Sequence, residues 1–158
     1  MDTTLAIDFG TSNSVVFVYK QSAFEPLVSE TGSFLFPSYV AYINGSAVTG
    51  DSAKGLMGKP GRFVVACVKR LIGQPYSYYE QLEHKDIFGC EVVCGEDGDP
   101  VFVVDEKGTQ VTCVDVASEL FKHYKHRAEM YCDPNKYDSV YLTVPADYSE
   151  AQCSKIKE

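Results

Sequence analysis

Basic residues are scarce in this 158-residue chain: 14 Lys and Arg stand against 22 Asp and Glu, for a net charge of −8. Phosphate-backbone contacts need clustered Lys and Arg, so nucleic-acid binding is disfavoured, and so is docking on an anionic membrane surface. No apolar run approaches the roughly 20 residues of a membrane span. The longest, Val15 to Tyr19, has the length of a strand. Asp2 stands where a secretory signal would carry positive charge, and a first strand at Leu5 leaves no room for a transit peptide. A cytoplasmic location is the expectation. No Pro- or Ser-rich linker divides the chain, and its length allows one good core with at most a small appended lobe. No Gly-x4-Gly-Lys-Ser/Thr occurs, which excludes a Walker-type nucleotide site.

Nor is there a Cys-x-x-Cys pair, although cysteines occupy positions 67, 90, 94, 113, 132 and 153. Cys67 and Cys113 lie inside apolar runs, where free cysteine behaves as a small hydrophobe. Zinc held by Cys90, Cys94 and the pair His123/His126 is the sharper alternative. Against it, both histidines fall on the outer face of a predicted helix, and the two cysteines flank a predicted strand. Reduced thiols are therefore expected, and no metal at these residues.

What is present begins with Ile7-Asp8-Phe9-Gly10-Thr11-Ser12-Asn13-Ser14-Val15. Leu5 to Phe9 and Val15 to Tyr19 read as two strands, the second too apolar to have a wet face. The tip of this hairpin offers Gly10, Thr11, Ser12 and Asn13. A glycine lets a ligand approach the backbone, and successive amide N–H groups form an anion nest. Asp8 beside the nest suits a hydrated magnesium ion. A nucleotide phosphate site fits these residues, and so does a turn that merely caps two strands.

Further along, Ala23 to Val28 reads as a strand and Ser29 to Ser33 as a polar turn. Tyr39 to Ile43 alternates, Asn44-Gly45 is a hairpin turn, and Ala47-Val48 returns. Asp51 to Met57 predicts a short helix, Arg62 to Leu71 is apolar and β-branched around a basic pair, and Tyr76 to Leu82 predicts a helix after Pro75. Glu91–Cys94, Val101–Val104 and Gln110–Cys113 form a small meander that needs a partner layer. Val114 to Tyr131 supplies one, with a stripe of Ala117, Leu120, Phe121, Tyr124, Ala128 and Tyr131 and a capping box from Thr112 and Asp115. Its other face, with Glu119, Lys122, His123, Lys125, His126 and Arg127, reads as solvated. Ser139 to Val144 is a strand, and Ser149 with Gln152 opens a last helix that has no C-terminal cap, so the chain reads as cut in mid-element.

Three stretches in order carry a family resemblance: Gly50-Asp51-Ser52-Ala53-Lys54, Val68-Lys69-Arg70-Leu71-Ile72-Gly73 and Leu142-Thr143-Val144-Pro145-Ala146. With Phe36-Pro37-Ser38-Tyr39-Val40-Ala41 and the Asp-x-Gly-Thr hairpin, they resemble the ATPase domain of the seventy-kilodalton heat-shock chaperone family, from about Leu5 to the last residue. The hairpin alone is shared with actin-like proteins and sugar kinases; the Lys-Arg-Leu-Ile-Gly stretch is far more specific. The resemblance implies an α/β fold, one half of an actin-like (ribonuclease H-like) ATPase: a mixed core sheet with helices, plus a small α+β lobe carrying the meander. Residues 1–50 and 114–158 would form the core subdomain and about 51–113 the peripheral one.

The same resemblance implies roles. Asp8 would hold Mg2+ through water. Gly10, Thr11, Ser12 and Asn13 would bind the β- and γ-phosphates of ATP or ADP. Lys69 would be the catalytic lysine that reaches toward the γ-phosphate and the attacking water. From the two residues alone Lys69-Arg70 reads rather as a surface basic pair, which its place in the Val68–Gly73 stretch reverses; Thr11 and Ser12 read as turn residues and Pro145 as a strand terminator. Arg70 is expected to pair with an acid. An intact relative would couple ATP hydrolysis to unfolded peptides, with a J-domain co-chaperone and a nucleotide-exchange factor as partners. The second phosphate loop, the adenine pocket and the peptide-binding domain would lie beyond Glu158, so negligible hydrolysis is expected of this chain alone. Asp147 replaces the family's usual aromatic residue and Cys153 its usual arginine, which marks a divergent member and leaves two alternatives. One is a non-enzymatic co-chaperone or ribosome-associated relative that binds nucleotide structurally. The other, a sugar or acetate kinase lobe, is opposed by the stretches around Lys69 and Gly50.

Overall fold

Leu5, Ile7 and Phe9 are buried while the residues between them are not, the period-two signature of a strand with one face on a core. β1 (Thr3–Asp8) pairs antiparallel with β2 (Asn13–Lys20), from Thr4↔Tyr19 to Asp8↔Val15, and makes the predicted hairpin. The structure, a computed structural model, describes residues 3–131 and 137–158. Ser14, Val16 and Val18 of β2 are buried and Val15, Phe17 and Tyr19 half-buried, so neither face is wet. β3 (Ala23–Pro26) continues the sheet, and β4 (Phe36–Pro37) pairs with the start of β2 at Asn13 and Ser14.

β5 (Val40–Ile43) and β6 (Ser46–Thr49) form a second hairpin. Its turn residues Asn44 and Gly45 have φ of 51° and 78°, the left-handed pair that a tight two-residue hairpin turn requires. α1 (Gly50–Lys54) is shorter than the predicted helix to Met57. β7 (Phe63–Val65) pairs with β5, giving a three-stranded sheet that straddles residue 50. α2 (Tyr76–Glu80) follows Pro75 as expected. The meander is β8 (Val92–Cys94), β9 (Pro100–Val103) and β10 (Gln110–Thr112), antiparallel throughout.

α3 (Cys113–Glu129) is the layer the sheets need. Thr112 Oγ1 accepts from the Asp115 amide at 3.0 Å and the Asp115 carboxylate accepts from the Thr112 amide at 2.9 Å, a complete capping box. Val116, Ala117, Leu120, Tyr124 and Ala128 are buried; Tyr131, the last residue of the predicted stripe, lies past the helix and is exposed. Two residues assigned to the solvated face are not solvated. The His123 side chain is only 12% exposed, set edge-on to the rings of Phe36 and Tyr124. Arg127 reaches back to donate to the carbonyls of Val28 and Ser29. Val28, Ser29 and Phe36 lie on the segment between β3 and β4 and on β4 itself, which helix periodicity cannot see.

β11 (Tyr137–Thr143) pairs parallel with β1, Leu5 against Val140 and Ile7 against Leu142. Its apolar residues Val140 and Tyr141 are more than half exposed, on a strand that ends the sheet order among the described residues. α4 (Glu150–Lys157) opens on the expected capping box of Ser149 and Gln152. One hydrophobic core runs from Leu5 and Val16 through Val65 and Phe88 to Phe102 and Leu120, with a satellite at Ala41, Ala53 and Val64. The five described cysteines are free thiols, and Cys132 lies outside the described residues. Burial pushes the Cys90 and Cys113 thiols up to about 12, which keeps both protonated at neutral pH.

Leu120, in the middle of α3, has no exposed surface and belongs to the main core. Leu120→Ala is expected to cost about 3 kcal/mol through lost transfer energy and a cavity, against less than about 0.5 kcal/mol for the exposed Lys122→Ala. Urea unfolding followed by circular dichroism reads both.

Candidate nucleotide-phosphate site

Asp8 ends β1 with its carboxylate exposed, and Thr143, its register partner on β11, donates its hydroxyl to Asp8 Oδ1 at 2.6 Å. The chain then buries Phe9 completely, its ring 5.0 Å from that of Phe121 on α3. Gly10 follows because nothing larger fits. A Cβ there would stand 1.7 Å from the carbonyl oxygen of Asn13. The Gly10 amide is not offered outward: it donates to Ser14 Oγ at 3.2 Å, while Ser38 Oγ donates to the Gly10 carbonyl at 3.0 Å. The Ser38 amide holds the Ser12 carbonyl at 2.9 Å. Among the described residues, the amides of Thr11 and Ser12 donate to no protein acceptor. Gly10 thus contributes space, and the donors of the nest lie one and two residues on.

Lys69 arrives from a segment 60 residues away. Cys67 has φ 56° and ψ 23°, a left-handed conformation costly for a residue with a side chain, and it breaks the apolar run into β7 and a single 3-10 turn at Val68–Arg70. The break sends Val68 into the core and turns Lys69 onto the hairpin. Lys69 Nζ donates to the Phe9 carbonyl and stands 5.9 Å from the centre of the Phe9 ring. Burial holds its ammonium below the usual lysine range, and the nearby Asp8 charge opposes that shift. Lys69 is therefore half-buried against the hairpin, unlike the exposed Arg70 beside it. Arg70 is exposed and makes no ion pair among the described residues, so the expected acidic partner is not found. Tyr148 Oη donates to the Lys69 carbonyl at 2.7 Å, and Gly73, at φ +70°, lies so close to α4 that a Cβ would meet Gln152 Cα at 2.5 Å.

The hairpin tip and Lys69 are thus brought together, with Asp8 close enough to act on the lysine's charge. Thr143, Tyr148, Ser14, Ser38 and Tyr124, which orient them, are given no role at the site by motif or spacing, although four of them fall inside the stretches or the helical stripe quoted above. The available signal is a hydroxyl residue inside an otherwise apolar run, as at Ser14 and Thr143. An exposed carboxylate, unclaimed amides, a close-approach glycine and an ammonium together form a donor set that suits a polyphosphate and its hydrated divalent cation.

A mixed sheet whose first hairpin tip meets a lysine from the flanking segment defines one half of an actin-like ATPase fold. The chain belongs to the Hsp70 protein family, whose model matches residues 4–158. It is 28% identical over 159 residues to "Heat shock 70-related protein 5" of Dictyostelium discoideum, covering 98% of this chain and 31% of that protein. It is 30% identical to the "Chaperone protein HscA homolog" of Paracidovorax citrulli (98% of this chain, 24% of that one). With the "Heat shock 70 kDa protein" of Neurospora crassa the identity is 30%, covering 100% and 24%. The chain spans about a quarter to a third of the length of these relatives.

Gly10→Ala is expected to rebuild the loop, shifting the amide resonances of Thr11 to Ser14 and costing about 2 kcal/mol, while leaving the meander resonances in place. Lys69 is expected to titrate below the usual value of about 10.4. Because the Asp8 carboxylate favours the charged lysine, Asp8→Asn lowers that midpoint further; side-chain NMR of Lys69 against pH measures both.

Proposed function

We propose that this chain is the first lobe of the nucleotide-binding domain of a heat-shock-related chaperone, with a core subdomain at 1–50 and 114–158 and a peripheral one at about 51–113. The observation that carries the reading is the meeting of Lys69 with the Asp8–Asn13 hairpin across 60 residues of sequence. In this reading Thr11, Ser12 and Asn13 hold the β- and γ-phosphates of ATP or ADP, and Gly10 gives the backbone its close approach. Asp8 holds Mg2+ through water, its carboxylate oriented by Thr143. Bound there, the cation neutralises phosphate charge. Lys69 is the catalytic lysine of the intact domain, a positive charge fixed by the Phe9 carbonyl and aimed at the γ-phosphate and the attacking water. Phosphoryl transfer is mostly positioning and charge neutralisation, which is what these groups supply.

The wider role follows from the family resemblance and is part of the proposal. In the intact protein, ATP hydrolysis would control the binding of unfolded peptides, with a J-domain co-chaperone and a nucleotide-exchange factor as partners, in the cytoplasm. The reading is of a protein that binds neither nucleic acid nor membrane. No helix among the described residues is long and apolar enough to cross a membrane. This chain alone is proposed to bind Mg-ATP and not to turn it over. A second reading, a non-enzymatic relative that binds nucleotide structurally, is favoured by Asp147 and by Cys153, a half-buried thiol at the family's usual arginine position.

Calorimetric titration with Mg-ATP tests the site. Wild type is expected to bind weakly and only with magnesium, Asp8→Ala to lose detectable binding, and Lys69→Ala to weaken it about tenfold, the loss of one charge-assisted contact. Wild-type binding that is indifferent to magnesium and to both substitutions would sink the assignment. Phosphate release at the rate of an intact chaperone would sink the claim of inactivity.

A further inference from the structure

Beneath the hairpin tip lies a set of hydroxyls with no solvent to serve: Ser14 and Tyr124 are 0% exposed and Ser38 is 2%. Tyr124 Oη donates to Ser14 Oγ at 2.9 Å, and the Gly10 amide donates to the same oxygen at 3.2 Å. A serine oxygen has two lone pairs and one proton, so both acceptor positions of Ser14 are filled. Its own proton is left for Ser38 Oγ, 3.1 Å away. Ser38 in turn has its proton on the Gly10 carbonyl, so it can only accept from Ser14. Counting lone pairs therefore orders the chain in one direction: Tyr124 to Ser14 to Ser38 to the Gly10 carbonyl, with the Gly10 amide closing the ring at Ser14.

The head of this chain is fixed by its ring. Tyr124 packs edge-on to Phe36 at 5.6 Å between centroids and to Phe121 at 6.2 Å, and Phe121 packs on Phe9. These rings hold its hydroxyl under the loop from a helix that does not itself reach the hairpin tip. We propose that Tyr124 is a positioning residue for the phosphate loop: its hydroxyl heads an ordered chain of buried hydrogen bonds that fixes both polar groups of Gly10 and so aims the Thr11 and Ser12 amides outward. α3 thereby sets the stiffness of the nest. Desolvation and the serine partners act on the phenol in opposite senses, the former dominating, so it stays protonated and able to donate at any physiological pH.

This inference rests on the phosphate-site reading for its effect on nucleotide, and its structural half can be measured without nucleotide. Tyr124→Phe keeps the ring and removes only the hydroxyl. Hydrogen exchange of the Gly10 amide in the full chain is expected to speed up about fivefold to tenfold, the loss expected for one buried hydrogen bond, while amides of the meander keep their protection. Mg-ATP affinity is expected to fall by about the same factor. Ser14→Ala should do likewise, and the double variant should be no worse than Ser14→Ala, because the tyrosine acts through that serine. Unchanged Gly10 exchange in Tyr124→Phe overturns the proposal, as does full additivity in the double variant. Faster Gly10 exchange with no Mg-ATP binding even by wild type would sustain the positioning role and fail the phosphate-site reading instead.

Discussion

The carbonyl of Phe9 sits between a carboxylate that faces solvent and a glycine that faces inward, on a residue whose ring is wholly inside the core. Such a carbonyl must find a donor, because a buried acceptor left unpaired costs about 1–3 kcal/mol. β1 cannot supply one at its own end, since the ladder stops at Asp8. Lys69 does, and in doing so it anchors the start of the Lys-Arg-Leu-Ile-Gly stretch onto the first hairpin. The ammonium is held short of full solvation by the same contact that fixes its position. A structural demand, satisfying Phe9, and a chemical one, placing a positive charge beside Asp8, are met by one hydrogen bond.

Much of this architecture is written locally and is legible in the residues. Asn44-Gly45 specifies its turn, Thr112 with Asp115 and Ser149 with Gln152 specify two helix starts, and the alternation around Ile7 specifies the hairpin. Each depends on atoms within four residues of one another. What periodicity misreads depends on distant partners. His123 and Arg127 lie where a helical wheel puts solvent, but Val28, Ser29 and Phe36 cover that side. Cys67 breaks a run that reads as continuous, because the left-handed kink follows from where Val68 and Lys69 must go rather than from any propensity of cysteine.

The candidate site shows the same split. Asp8, the glycine and the hydroxyl residues of the tip are neighbours along the chain, so the residues alone display their grouping. That Lys69 faces them is supplied in advance only by resemblance, since two adjacent basic residues carry no direction. The supporting contacts from Thr143, Tyr148 and Tyr124 are spread over 79 to 135 positions and have no sequence signature beyond a polar residue among apolar ones. Glycine works in the same divided way. Gly10 and Gly73 both make room for backbone, but only the turn at Gly10 announces it; the neighbour of Gly73 is a helix almost eighty residues downstream.

The parallel pairing of β1 with β11 joins residues 135 positions apart. During synthesis β1 and β2 can zip within microseconds, once their short turn has left the ribosome. The other edge of β1 must wait until the chain has been made as far as β11, at some 5–20 residues per second. For those seconds Leu5 and Ile7 border an unpaired strand edge, the kind of surface that recruits strands from other chains. The nascent protein therefore passes through an interval in which it needs shielding of the sort its own family is proposed to give to others.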